Sequence, residues 1–341
     1  MARTVRVGVI GLGLGVHHLE GVAAAKDAEI AGIADIDAER LAERGDRFGV
    51  KNRFADYRKL LAMPEIDAVT VALPNYLHRD VTIAALRAGK HVMCEKPPAL
   101  NTRQAQDMAR AAKKARRILM IAVNNRYRRE VQYLRGEVAK GRFGKVYLAK
   151  CAYVRRSGIP AWGAGWFVDK AKSGGGPIID LGVHVIDMTL FILGYPKVTA
   201  VSAAAFQNFK HRVPAKYTYS VEDHAIALMR LAGGGVLSFE TSWATHLKAG
   251  ASFVEIYGTK AGAKLEPLEI YSEREGVLFD EIPQVKPTGW EESIHAEVAH
   301  FVECVRTGRK PLSPGEQGVD IMKVLDGIYR SAELGREVRL R

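Results

Sequence analysis

Three stretches of the 341-residue chain carry residue types at spacings that could do chemistry. One runs from Gly174 to Asp187, where Asp180, His184 and Asp187 stand among apolar neighbours. On a helix turning about 100° per residue, the three fall within roughly 60° of one another. Leu181, Val185, Ile186, Met188, Leu190 and Ile192 cover most of the remaining surface, so the helix must be buried. A buried carboxylate and imidazole need partners or a wet cavity, and Asp with His four residues on is the geometry of an oriented acid and base. The alternative is a capping Asp beside a satisfied core His. A metal is the poorer reading, because no third ligand at usable spacing accompanies the pair.

The second stretch is Cys94-Glu95-Lys96-Pro97-Pro98, with Leu73-Pro74-Asn75 as its companion. Both follow apolar runs that read as strands, at the sheet edge where doubly wound folds bind ligands. Two prolines stiffen the segment that presents Lys96, although a solvated loop lysine would look the same. The third stretch is Gly11-Leu12-Gly13-Leu14-Gly15, whose glycines let the backbone approach a pyrophosphate at a helix N-terminus. Val16 stands where a strict G-x-G-x-x-G has its third glycine, so the loop is a variant. Asp35 follows about 20 residues later, where an acid binds the ribose hydroxyls of NAD and repels a 2′-phosphate. Asp35 or Asp37 could instead cap the next helix.

The elements that must position these residues alternate up to about residue 123. Apolar runs at Val5 to Ile10, Glu29 to Ala34, Asp67 to Leu73, His91 to Cys94 and Ile118 to Val123 read as strands. Segments rich in Ala, Arg and Glu between them read as helices, which gives a parallel βαβ sheet. Beyond Asn124, β-type runs follow one another at Lys145 to Val154, Lys197 to Phe206, His224 to Leu231, Val236 to Trp243 and Ser252 to Tyr257. Gly233 to Gly235 reads as a hairpin turn and implies antiparallel pairing. Pro177 suits the start of the Asp180 helix and Gly194 the position past its end, and two more helices, Trp290 to Arg306 and Gly315 to Leu334, close the chain. The expected division is a Rossmann domain at 1–123 and a second α/β domain, on an open and mostly antiparallel sheet, at 124–341.

Composition bounds the reading. With 48% of residues apolar and 26% charged the chain can bury a large core and is not of disordered type. A net charge of +12 favours anionic ligands. Three cysteines, Cys94, Cys151 and Cys304, support neither a disulfide framework nor a zinc ribbon, so a reducing cytoplasm is the expected compartment. The apolar runs are too interrupted to span a membrane. Basic clusters at Lys113 to Arg117 and Arg126 to Arg129 lack the aromatic interleaving of a single-strand binder, so no nucleic-acid partner is expected.

Taken together, Glu95-Lys96-Pro97, the Gly-Gly-Gly run with Asp180, His184 and Asp187, and the closing region from His300 through Ser331 resemble the family of glucose-fructose oxidoreductase, inositol 2-dehydrogenase and rhizopine catabolism proteins. The resemblance spans nearly the whole chain. It implies hydride transfer between NAD(P), here NAD by the reading of Asp35, and a secondary alcohol or ketone of a sugar, polyol or inositol. It places Lys96, Asp180 and His184 at the catalytic positions, with Gly11, Gly13, Leu14, Gly15, Asp35, Pro74, Asn75, His78, Glu95 and Lys96 at positions that hold the cofactor. It also implies a homodimer or homotetramer joined through the open sheet. NADP-linked reduction of a keto- or anhydro-sugar, and a non-catalytic cofactor-binding regulator, are the alternatives on the same fold. Phe167 after Trp166 departs from the pattern, since many relatives place a basic residue there.

Overall fold

The computed structural model describes residues 4–161, 163–248 and 250–340. Its packing forms two units: residues through Tyr127 with Gly289–Val319, and Arg128–Thr288 with the residues from Asp320 onward. This differs from a single cut after residue 123. A chain can return to an earlier core wherever its helices carry a matching apolar face, and a cut read from the change in texture does not show such a return.

The first unit alternates β1 (Val5–Ile10), α1 (Gly15–Ala24), β2 (Ala28–Ala34), α2 (Ala38–Arg47), β3 (Arg53–Phe54), α3 (Tyr57–Leu61), β4 (Ala68–Val71), α4 (Asn75–Arg87), β5 (His91–Glu95), α5 (Thr102–Ala115) and β6 (Leu119–Ala122). The strands form one parallel sheet in the order β3-β2-β1-β4-β5-β6. Strand order reverses at β1, which places a ligand-binding crevice beyond the ends of β1 and β4. The returning segment, Trp290–Thr307, packs on α1 and the sheet through Ile294, Val298 and Phe301, in one cluster with Val5, Val22 and Met93. Gly21 permits that approach, since a Cβ there would lie 2.8 Å from Val298.

The second unit holds α6 (Arg129–Ala139), β7 (Val146–Val154), α7 (Lys170–Ser173), a π turn (Ile178–Gly182), α8 (Val183–Ile192), β8 (Val198–Phe206), β9 (His224–Leu231), β10 (Val236–Ser242), β11 (Ala251–Gly258), β12 (Ala261–Leu265), β13 (Glu269–Arg274) and β14 (Val277–Glu281). After α9 (Trp290–Thr307) of the first unit comes α10 (Gly315–Leu334), which the division crosses, and then β15 (Val338–Arg339). The nine-stranded sheet runs β14-β13-β12-β11-β7-β10-β9-β8-β15 and is antiparallel except where β10 lies parallel to β7. The glycine turn at 233–235 joins β9 to β10 as expected, with Arg230 opposite Val236. Along β9, Ala225, Ala227, Met229 and Leu231 are buried while Ile226 and Leu228 stay 47% and 45% exposed. One face of the sheet is therefore core, and the other presents apolar side chains to solvent.

The stretch Lys170–Ile192 is long and apolar enough to cross a bilayer, yet it is largely buried inside the second unit. It is not one uniform α-helix. The π turn that opens it widens the backbone just where Asp180 sits, so an even 100° count does not describe its side chains.

Candidate active site

Each glycine of the Gly11 to Gly15 loop has a separate physical reason. Gly11 has φ +85°, and a Cβ there would lie 2.3 Å from the Ala72 carbonyl oxygen, so only glycine makes the tight turn. A Cβ on Gly13 would meet open space, which leaves room for a ligand against the backbone. Gly15 starts α1 against Val9 and Ala72, with 3.1 Å and 3.4 Å to their side chains from a Cβ. Tight turn, open approach and close helix-to-strand packing are the three tasks of a dinucleotide loop, so the early third glycine performs the usual task.

Caps point the same way. Asp37, Asp56 and Asn101 cap α2, α3 and α5, whereas α1 begins at Leu14 with no side-chain cap and no acid in its first turn. Its dipole and uncapped N-terminus suit a pyrophosphate. Asp37 accepts from Arg40 N at 3.0 Å, so capping falls to Asp37 and not to Asp35. Asp35 closes the loop from the other side, its carboxylate accepting from Leu12 N at 2.7 Å and Asp37 N at 2.9 Å. Arg40, one turn into α2, brings its guanidinium to 3.2 Å from Asp35 and 3.1 Å from Asp37. The groove fits NAD on these observations.

At the ends of β4 and β5, Pro74 precedes α4, Asn75 is buried in its first turn, and Lys96 is half-buried beyond Glu95. Glu95 accepts from the buried His18 at 3.0 Å and from Lys96 N at 3.1 Å. Burial acts to raise its carboxyl, but the His18 hydrogen bond and the Lys96 and His78 charges hold it below the ordinary range. His78 is wholly buried, with its ring nitrogens 2.8 Å from the Pro97 carbonyl and 2.7 Å from the Leu73 carbonyl. Expected among the cofactor positions, it ties the backbone of the two loops together through both ring nitrogens. Two carbonyl acceptors call for two N–H donors, the imidazolium form. Burial opposes that charge, but Cys94 and the two carbonyls outweigh it and raise the pKa to about 9.

In the second unit every residue from Ile178 to Ile192 is buried except Asp180 and His184. Asp187 does not share their exposure, since it is 2% exposed and accepts from the Tyr195 hydroxyl at 3.0 Å. The turn bearing Asp180 is fastened at its start. Glu222 accepts from Gly176 N at 3.0 Å, Ile178 N at 3.1 Å and the Tyr329 hydroxyl at 2.8 Å. Burial pushes its carboxyl up against the pull of these donors. The glycine run has its reason here: a Cβ on Gly175 would lie 1.8 Å from the Tyr329 oxygen, and one on Gly176 2.1 Å from the Glu222 carbonyl oxygen. Asp180 itself accepts from the indole N–H of Trp243, fully buried, at 2.9 Å.

Comparison with protein families matches residues 5–123 to the oxidoreductase family's NAD-binding Rossmann fold and residues 135–340 to that family's C-terminal α/β domain. The chain belongs to this Gfo/Idh/MocA oxidoreductase family. It is similar to a D-glucoside 3-dehydrogenase of Escherichia coli K12, 33% identical over 98% of this chain and 97% of the relative. It is also similar to a myo-inositol 2-dehydrogenase of Thermotoga maritima, 27% identical over 98% of each. Among solved structures, a levoglucosan dehydrogenase in complex with NADH and levoglucosan superposes with a TM-score of 0.90 at 26% identity, covering 99% of this chain and 100% of the other. NAD is the cofactor of this oxidoreductase.

Within this family frame, the sequence reading gave no positioning role to His18 in the first unit or to Glu222, Trp243 and Tyr329 in the second. His18 had a signal in the histidine pair that follows the glycine loop. Tyr329 falls in the closing region that carries the resemblance, but its bond to Glu222 and that of Trp243 to Asp180 had no local signal, because the partners lie 107 and 63 residues away. The basic cluster at 126–129 is spent internally. Arg126 is buried on the Leu312 carbonyl and Gln317, and Arg128 pairs with Glu130 and Glu266.

Proposed function

We propose that this oxidoreductase oxidises a secondary hydroxyl of a sugar, polyol or inositol. The observation that carries the reading is the sealed Ile178 to Ile192 stretch, which leaves an acid and an imidazole as its accessible groups. Bound NAD supplies the acceptor for the hydride that leaves the carbinol carbon. His184 takes the hydroxyl proton, and Asp180, fixed by Trp243, orients the hydroxyl and the imidazole. Lys96 stabilises the alkoxide as it develops. Lys96 as proton acceptor is the alternative assignment of the same groups. The sugar-oxidising relatives and the levoglucosan complex support the substrate class.

Assembly and compartment complete the proposal. The apolar outer face of β8 and β9, with Phe206, Ile226 and Leu228 each more than 40% exposed, is a surface that a monomer rarely leaves uncovered. A second copy packed against it gives a symmetric homo-oligomer. Three free, buried cysteines fit a reducing compartment such as the cytoplasm. The test is a panel of sugars, glucosides and inositols with NAD, followed by absorbance of the reduced nicotinamide. Oxidation of one or more members is expected, and silence across the panel would overturn the reading in favour of a regulator.

A further inference from the structure

Strands β7 and β10 run parallel and finish level, Val154 beside Ser242. Beyond that line the chains remain tied, Arg155 N donating to the Ser242 carbonyl at 2.9 Å and Thr245 N to the Arg156 carbonyl at 3.1 Å. Trp243, which holds Asp180, lies between those ties. A third segment joins them. Arg212 donates to His246 Nε2 at 3.1 Å and stacks on Phe209 at 4.3 Å, while Val213 and Tyr219 share an apolar cluster with Trp243 and Leu181.

Segments 155–158, 207–219 and 244–248 carry three arginines, three lysines and two histidines, and no Asp or Glu. Asp223 lies beneath them, but it is wholly buried and accepts from Asn208 N, Phe209 N and the Tyr219 hydroxyl, so it anchors the loop. The three arginines are held by neutral partners. Arg155 rests on the Tyr153 ring and hydroxyl, Arg156 on the Lys248 carbonyl and Arg212 on His246 and Phe209. Among the described residues none of the three has a carboxylate at ion-pair distance. Elsewhere in the chain Arg47, Arg79, Arg142 and Arg306 each pair with one, while Arg117 rests singly on carbonyl oxygens, so what sets this place apart is three such arginines on adjoining segments. A guanidinium that is ordered but not neutralised is pre-organised for bidentate binding of an oxyanion.

We propose that the sugar bound by this oxidoreductase carries an anionic group, a carboxylate or a phosphate, and that Arg155, Arg156 and Arg212 hold it beside Asp180. The proposal rests on the oxidoreductase reading and narrows its substrate. It makes these arginines the residues that choose among sugars, while Asp180 and His184 serve whichever hydroxyl is presented.

The experiment is calorimetric titration of the NADH-loaded protein with glucose, glucuronate and glucose 6-phosphate, alongside oxidation assays of the same sugars with NAD. At low salt one or both anionic sugars should bind at least about tenfold tighter than glucose, and roughly 0.5 M salt should erode that advantage, because exposed charges are screened within a few ångströms there. Arg156→Gln with Arg212→Gln should remove the advantage and leave the affinity for glucose unchanged. A gain with glucuronate alone assigns a carboxylate, and one with glucose 6-phosphate alone a phosphate. Equal or weaker binding of both overturns the proposal, even where glucose is oxidised. A binding advantage without oxidation of any sugar upholds the anion site and counts against the oxidoreductase reading instead.

Discussion

Asp180 and His184 reach solvent from a stretch whose other side chains are buried, and that contrast sets what their loss should do. Removing a positioned proton acceptor costs about 10² to 10⁴ in rate, so His184→Ala should lower kcat by that range and leave NAD affinity unchanged. Lys96→Met should cost at least as much. Stopped-flow or steady-state kcat, with NAD affinity from fluorescence quenching, measures both, and near wild-type kcat in both variants would return the residues to a structural role. A prediction for cofactor choice belongs to Asp35 in the first unit. Arg40 bridges Asp35 and Asp37, so a 2′-phosphate would meet two carboxylates and one shared guanidinium. NAD should bind tighter than NADP, and Asp35→Ala should narrow the difference. Calorimetry with both cofactors is the check, and tighter binding of NADP by the unaltered protein would contradict it.

The glycine run before Asp180 is a packing solution shared by a turn, a tyrosine and a buried glutamate. Gly176→Ala would drive a methyl group into the Glu222 backbone, where neither partner has a flexible side-chain end to yield. Overpacking of this kind costs about 1–3 kcal/mol, so denaturant unfolding should show a loss of that size together with reduced kcat as the Asp180 turn shifts. The loops after β4 and β5 depend on His78 in a different way. Its folded pKa, about 9, lies above the ordinary 6.5. The folded state therefore holds the proton more tightly, and the stabilisation is complete below about pH 6.5 and lost as the pH rises through 9. His78→Gln should lower the thermal midpoint most at pH 6 and flatten its decline between pH 6.5 and 9. Thermal melts of both proteins across that window decide it, and parallel curves would refute the imidazolium.

Two sheets govern the molecule. The parallel one is buried on both faces, as the apolar strands of α/β units require, whereas the nine-stranded one has helices on one face and Ile226, Leu228 and Phe206 exposed on the other. Burial of apolar area contributes roughly 25 cal/mol per Å², which favours covering that face with a second copy. Sedimentation at micromolar concentration should show a dimer or tetramer. Ile226→Lys with Leu228→Lys should shift it toward monomer without unfolding the protein. A 37.4 kDa species from the unaltered chain would overturn the assembly.

Sequence by itself determined the alternating first unit, the hairpin at Gly233 to Gly235, and the candidate set of Asp35, Lys96, Asp180 and His184. Those features are local: strand runs, turn glycines and polar residues inside apolar stretches register within a few residues of one another. What it could not determine was set by contacts between distant segments. Trp243 on Asp180, Tyr329 and Glu222 behind the glycines, and the return of α9 to the first core join positions 46 or more residues apart. His78, which the resemblance places among the cofactor positions, is held by the carbonyls of Pro97 and Leu73, and neither bond is legible in the spacing of the residues. Spacing along a chain shows which side chains share an element. Which acceptors fill a buried donor's remaining valences is decided only when the elements close around it, because an unsatisfied buried polar group is too costly to leave.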